Sequence, residues 1–363
     1  MIRSLPFDHE PVTNAPITEL DMDLVFQTMQ TGYNLGRLML ADIPGLTPEL
    51  MRDHTMAMRY LERFNGVTQV EHRMVPTVAG VLAFTHAPDK WIPSSGVDIA
   101  RYETDPRFIR SEGLMAVPAP TRARIESVRG PIFTIIDRTV DVLREACTTN
   151  IYEGARIVNH IDTPPNVLRE LTTNGVMHRD LQLYGAQVRV QIFPGYIEWI
   201  SPGRLPPEVF PDDLPLTLEL LLSAQFARNP GLARILFHRG YIEKFGFGLD
   251  DVVASLAEID REPPEFHNDK HSFRVRVMRP ITAGGEVLNL AIKESRQLAI
   301  LLLFEEKTIW TPQAMNQRMG IPRSTLQSDL REMTKSGQLK ASGATNSRVY
   351  RRGDTPEGQK RLL

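Results

Sequence analysis

A single cysteine, Cys147, stands in 363 residues. The chain can form no internal disulfide and no multi-cysteine zinc site, and a reducing compartment is the natural expectation. An excess of charge of one sign is missing as well: 42 Lys and Arg face 44 Asp and Glu, a formal net charge of −2. Bulk electrostatics therefore point to no polyanionic partner, and such a partner must be read from local clusters. Long apolar runs are absent too. No stretch approaches the roughly 18 apolar residues of a membrane span, and the opening "MIRSLPFDHEPVTNAPITEL" has no apolar signal core. A cytoplasmic protein with no membrane partner is expected. The phosphate loop G-x-x-x-x-G-K-[ST] does not occur either, which excludes the motor of a helicase. A hydrophobic fraction of 42% and a charged fraction of 24% are ordinary for folded domains, and the length suffices for two or three.

The periodicities predict an α+β chain in four parts. Residues 1–70 read as a helical lead-in, with Thr47 and Pro48 as N-cap and first helical residue. Residues 71–150 read as an α+β segment in which "VPTVAGVLAFTH" and "GVDIARYET" are strand-like. In 151–282, Thr163 is expected to cap a helix that runs to His178. The runs "AQVRVQIF" and "YIEWIS", split by Pro194-Gly195, predict a hairpin with Val188, Val190 and Ile192 on one face. Residues 288–363 read as three helices and two short strands, the order of a winged helix-turn-helix.

One helix carries polar groups where apolar ones belong. In "LRELTTNGVMHRDL", Glu170, Asn174 and His178 recur every four residues and flank the stripe of Val167 and Leu171. A carboxylate on that stripe costs several kcal/mol unless a basic group, backbone donors or a bound cation offsets it. A Glu four residues before an Asn can serve one Mg²⁺–phosphate site, the amide oxygen ligating the metal and the carboxylate polarising a water. The same pair also fits a solvated rim or a closed hydrogen-bond network.

With "ISPGRLP", "ARNP" and "YIEKFGFGLDDVV" following in order, the stretch resembles the RecG-like, Schlafen-associated family of transcriptional regulators. Its central domain is a divergent GHKL (Bergerat-type) ATP-binding domain. The resemblance runs from about residue 75, where "VPTVAGVLAFTHAPDKWIP" also fits the family, to about residue 280. It implies a GHKL-like α/β sandwich, helices on a mixed sheet, holding ATP and Mg²⁺. By position it implies Glu170 as general base and Asn174 as metal ligand. Cofactor contacts would come from Asn174, His178, Arg179, Asp180, Ser201, Gly203, Arg228, Asn229, Gly246 and Gly248. The turn at Gly246 and Gly248 would offer backbone N–H groups to phosphates. One departure matters: where such ATPases present an Asp to the adenine amino group, the turn here is Ile200-Ser201-Pro202-Gly203-Arg204. ATP is therefore expected to bind weakly, or another nucleotide to take its place. In that family an AlbA-like domain often precedes this region, so the chain is expected to be naturally short or trimmed at its start.

The last segment supplies local charge. From Arg323 onward nine basic residues oppose four acidic ones, a patch suited to phosphates. The third helix would expose Arg323, Ser324, Gln327, Arg331 and Lys335, with Arg348 on the wing, to double-stranded DNA. A packing module with a solvated basic face is the plainer alternative. Three functions follow: a DNA-binding regulator and homodimer that senses a ligand, a true ATPase targeted to DNA, or a scaffold without a ligand.

Overall fold

The computed structural model describes residues 6–102, 122–153, 156–193, 195–211, 216–224, 226–243, 248–279, 282–283, 286–287, 293–319, 323–343 and 348–353. Asp21 opens helix α1 (Met22–Asn34) by accepting from the Asp23 amide, and Asp53 opens α2 (His54–Arg63) by accepting from Met56. Thr47 and Pro48 start only a single 3₁₀ turn, Pro48–Leu50. The expected cap is therefore corrected to Asp53, whose carboxylate reaches the free amide at 3.0 Å. Strands β1 (Val67–Val70) and β2 (Arg73–Pro76) form a hairpin. The apolar run after it is not a strand. Thr77 accepts from the Gly80 amide at 3.0 Å and caps α3 (Val78–Phe84), which is buried on every side; a continuous apolar run suits a buried helix as well as a buried strand.

Strands β3 (Val97–Tyr102) and β4 (Arg122–Val128) lead into α4 (Ile132–Cys147). The hairpin β5 (Thr148–Glu153) and β6 (Arg156–Ile161), not foreseen from the sequence, precedes α5 (Pro165–Met177). Pro164 is the N-cap of α5, and Thr163 instead donates its hydroxyl to Asp162 at 2.8 Å. The expected cap is thus corrected from Thr163 to Pro164: the helix starts at Pro165, whose fixed φ suits the first turn, and it has no side-chain cap. The chain continues with β7 (Val188–Ile192), β8 (Tyr196–Pro202), α6 (Leu218–Ser223), α7 (Pro230–Arg239), α8 (Gly248–Glu258), β9 (Glu265–Asn268) and β10 (Ser272–Met278).

The main sheet has six strands in the order β4-β3-β7-β8-β10-β9. Only β3 and β7 run parallel, so the sheet is mixed. It also crosses the division expected at residue 150, since β3 and β4 pair into the same sheet as β7 to β10. Strand β7 alternates as anticipated, with Val188, Val190 and Ile192 buried and Arg189 exposed. Strand β8 is buried along its whole length. Trp199 meets helix α5, donating to Thr172 Oγ1 at 3.0 Å. Glu198 is buried beside two arginines of β10, Arg276 at 2.7 Å and Arg274 at 3.5 Å, which explains how a carboxylate survives there.

One hydrophobic cluster extends from Ala15 to Val277. A buried ion pair staples it: Arg279 donates to Asp162 Oδ2 at 2.7 and 3.1 Å and to the carbonyls of Ala146 and Phe193. After the short pair β11 (Thr282–Ala283) and β12 (Glu286–Val287) come α9 (Lys293–Glu306), α10 (Pro312–Met319), α11 (Arg323–Lys335) and the hairpin β13 (Leu339–Ser342) with β14 (Val349–Arg352). These helices and the last hairpin bury a second cluster, Ala299 to Tyr350. Arg318 of α10 donates to the Arg279 carbonyl at 2.8 Å and joins the two parts. Among the described residues no helix is long and apolar enough to cross a membrane.

Candidate functional site

Helix α5 carries the site because its geometry repeats every four residues. Glu170 and Asn174 are both half-buried, one turn apart, and the Asn174 amide donates to Glu170 Oε1 at 3.0 Å. Burial raises the proton affinity of the Glu170 carboxyl; the Asn174 bond and Arg169 oppose that rise, while Asp251 and Glu243 add to it. Asn174 Oδ1 accepts no hydrogen bond from any described residue, so a hard ligand atom remains available. His178 ends the helix and stacks on Phe226 at 6.4 Å between ring centres. Desolvation, and then the Arg228 charge, push its pKa down to about 4, so the ring is neutral at pH 7.

These groups meet around a cavity of about 430 Å³. Glu170, Asn174 and His178 line one wall, and Ser201, Gly203 and Arg228 line another. Gly248 closes the end near Glu170. Gly203 adopts φ +93°, and a Cβ there would stand 2.4 Å from that of Asp180, so only glycine fits. At Gly248 a Cβ would meet Glu170 Oε1 at 1.8 Å. Gly248 thus makes room for the carboxylate rather than holding a phosphate position open. Asp250 and Asp251 in the first turn of α8 further disfavour an anion at that end. Gly246 lies outside the described residues.

Other residues read from the sequence stand back from the cavity. Arg179, 2% exposed, gives its guanidinium to the carbonyls of Ser94 and Ala186. Asn229, 1% exposed, donates to the carbonyls of Met177 and Arg179. Neither lines the cavity; through these bonds both clamp the backbone around the end of α5. Asp180 does not line the cavity either; it accepts from the Gln182 amide at 3.0 Å and pairs with Arg228 at 3.4 Å.

The structure adds residues that the sequence reading passed over. Trp199, Phe266 and Phe273 line the cavity. Trp199 could have been found, since period two along β8 places it on the face of Ser201. Phe210 and Phe226 come from loops, where no period marks them. Glu243 also lines the cavity, held by Arg37 at 2.7 Å. On the last segment, Arg323, Ser324, Gln327, Arg331, Lys335 and Arg348 are all exposed.

Residues 185–277 match the family model described as "Putative ATP-dependent DNA helicase recG C-terminal". The match begins after α5, so Glu170 and Asn174 precede it. No curated protein matches the chain. Among solved structures, the DIP2311 protein from Corynebacterium diphtheriae is similar with a TM-score of 0.53 at 14% identity, over 96% of this chain. The chain spans 64% of that protein's length, and the likeness is one of fold. The segment 185–277, which holds four antiparallel strands of the sheet, is therefore similar to a divergent GHKL-type ATPase domain of the recG C-terminal family.

Proposed function

We propose that this chain is a DNA-binding transcriptional regulator of homodimeric, cytoplasmic habit whose central domain senses a ligand, ATP–Mg²⁺ or another Mg²⁺-bound nucleotide. The observation that carries the reading is the single cavity that unites Glu170, Asn174, His178, Ser201 and Arg228, residues contributed by separate elements. Asn174 Oδ1, which no described residue uses, is the atom to hold Mg²⁺. An ion held there would supply positive charge that offsets the acidity of Glu170 and Glu243 for an incoming phosphate. Calorimetry with ATP, with and without Mg²⁺, tests the reading. Metal-dependent binding is expected in the wild type and a loss of at least tenfold in Asn174→Ala, the scale of a lost charge-assisted contact. Binding unchanged by the substitution removes Asn174 from the site.

Residues 288–363 serve in this reading as a winged helix-turn-helix. Support comes from the exposed polar face of α11 and its basic surroundings, the pattern that meets base edges and phosphates. A gel shift comparing the full chain with Arg323→Ala/Arg331→Ala is expected to show weaker binding to every DNA tested, with a shallower salt dependence by about two charges. Identical affinity and salt slope would remove this face from DNA contact.

A second reading, genuine ATP hydrolysis, draws on Glu170. A carboxylate whose proton affinity is raised by burial is suited to take a proton from an attacking water.

A further inference from the structure

The cavity has two unlike ends. Glu170 marks one, with Asn174 one turn further in; His178, the C-cap of α5, marks the other, about 12 Å from Glu170 and about 6 Å from Asn174 along the helix axis. At the His178 end the wall is made of Ser201, Arg228, Phe226 and the His178 ring.

The hydrogen-bonding capacity of that end is biased. The Ser201 hydroxyl spends its proton on the Gly175 carbonyl at 2.8 Å, so Ser201 can only accept. Neither ring nitrogen of His178 meets a partner among the described residues. The ring, being neutral, offers one N–H and one lone pair. Arg228 brings a positive charge, its side chain 21% exposed; Nη2 gives one hydrogen to the Arg204 carbonyl and Nη1 pairs with Asp180, which leaves a second N–H on each without a partner among the described residues. The nearest carboxylate, Asp180, is engaged by Arg228 and by the Gln182 amide and does not line the cavity. No carboxylate of the described residues lines this end.

Donors and a cation therefore dominate, with few acceptors. An exocyclic amino group seeks the opposite surroundings. A ring carbonyl beside an imine nitrogen, as in O6 and N7 of a 6-oxopurine, is the edge that a guanidinium recognises, and the adjoining ring N–H can donate to a hydroxyl such as that of Ser201. Resting on the nucleotide reading above, we infer that the His178 end selects a 6-oxopurine base, guanine or hypoxanthine, over adenine, with Arg228 as the specificity-determining residue.

The test is calorimetry on the full chain with Mg²⁺ and three triphosphates: ATP, GTP and ITP. GTP and ITP are expected to bind roughly tenfold more tightly than ATP, the scale of one arginine–purine contact. ITP has the carbonyl but not the 2-amino group, so its retention of the preference assigns the effect to O6. In Arg228→Met, ITP is expected to fall to the level of ATP. ATP binding as tightly as ITP to the wild type overturns the base assignment while leaving nucleotide binding intact. If none of the three binds, the nucleotide reading falls and this inference with it. Should Arg228→Met keep the preference, Arg228 loses its role; should that variant fail to fold, the wild-type comparison decides alone.

Discussion

Asp162→Ala is expected to lower the unfolding free energy by about 3–5 kcal/mol, the cost of leaving a buried partner charge uncompensated. Asp162 is 3% exposed and Arg279 8%, and the two approach to 2.7 Å. Without the carboxylate, the guanidinium keeps only the carbonyls of Ala146 and Phe193, which carry no formal charge. The loss spreads because the pair joins three elements: the end of α4, the entry to α5 and the β7–β8 turn. Urea unfolding of the wild type, Asp162→Ala and the double variant Asp162→Ala/Arg279→Met measures it. The double variant should recover part of the loss, since removing both charges also removes their desolvation cost. A single-variant loss below about 1 kcal/mol would mean that water or another group already satisfies Arg279.

Glu170→Gln should separate stability from chemistry in opposite directions. Burial raises the folded pKa of Glu170 above its ordinary value of 4.5. Below that ordinary value, folded and unfolded chains both hold the proton, and the stabilisation from the neutral form is complete. As pH rises through the folded pKa the native state surrenders a proton that it holds better than the unfolded chain, and stability is lost. Glutamine keeps the neutral form throughout. The variant should therefore melt above the wild type at pH 7.5, with the gap closing as pH falls to 4.5. Nucleotide affinity should persist, whereas hydrolysis, where it occurs, should drop about 10²–10⁴-fold with the loss of a general base. Lower melting of the variant at pH 7.5 contradicts the burial argument, and undiminished turnover removes Glu170 from proton transfer.

Much of this was legible in local spacing. The four-residue recurrence of Glu170, Asn174 and His178, the alternation of Val188, Val190 and Ile192, and the order of α9 to β14 are properties of adjacent turns and strands. The helix α3 was misread because a short apolar run has the same composition in either conformation, and Thr77 with its hydrogen bond to the Gly80 amide settles the choice. Arg179 belongs to the same motif as His178, and Asn229 to that of Arg228, yet both donate to backbone carbonyls away from the cavity that His178 and Arg228 line. Motif membership specifies neighbours along the chain, and a side chain's direction depends on what packs around it.

By itself, then, the amino-acid order determined which polar groups share the inner stripe of α5, because helical geometry is set within a few residues. Only the tertiary structure decided that this stripe borders a cavity walled by Trp199, Phe266 and Phe273, and that Arg279 would secure Asp162 from 117 residues away. Those relations depend on strand order and on the parallel pairing of β3 with β7, contacts between distant segments that no local period encodes.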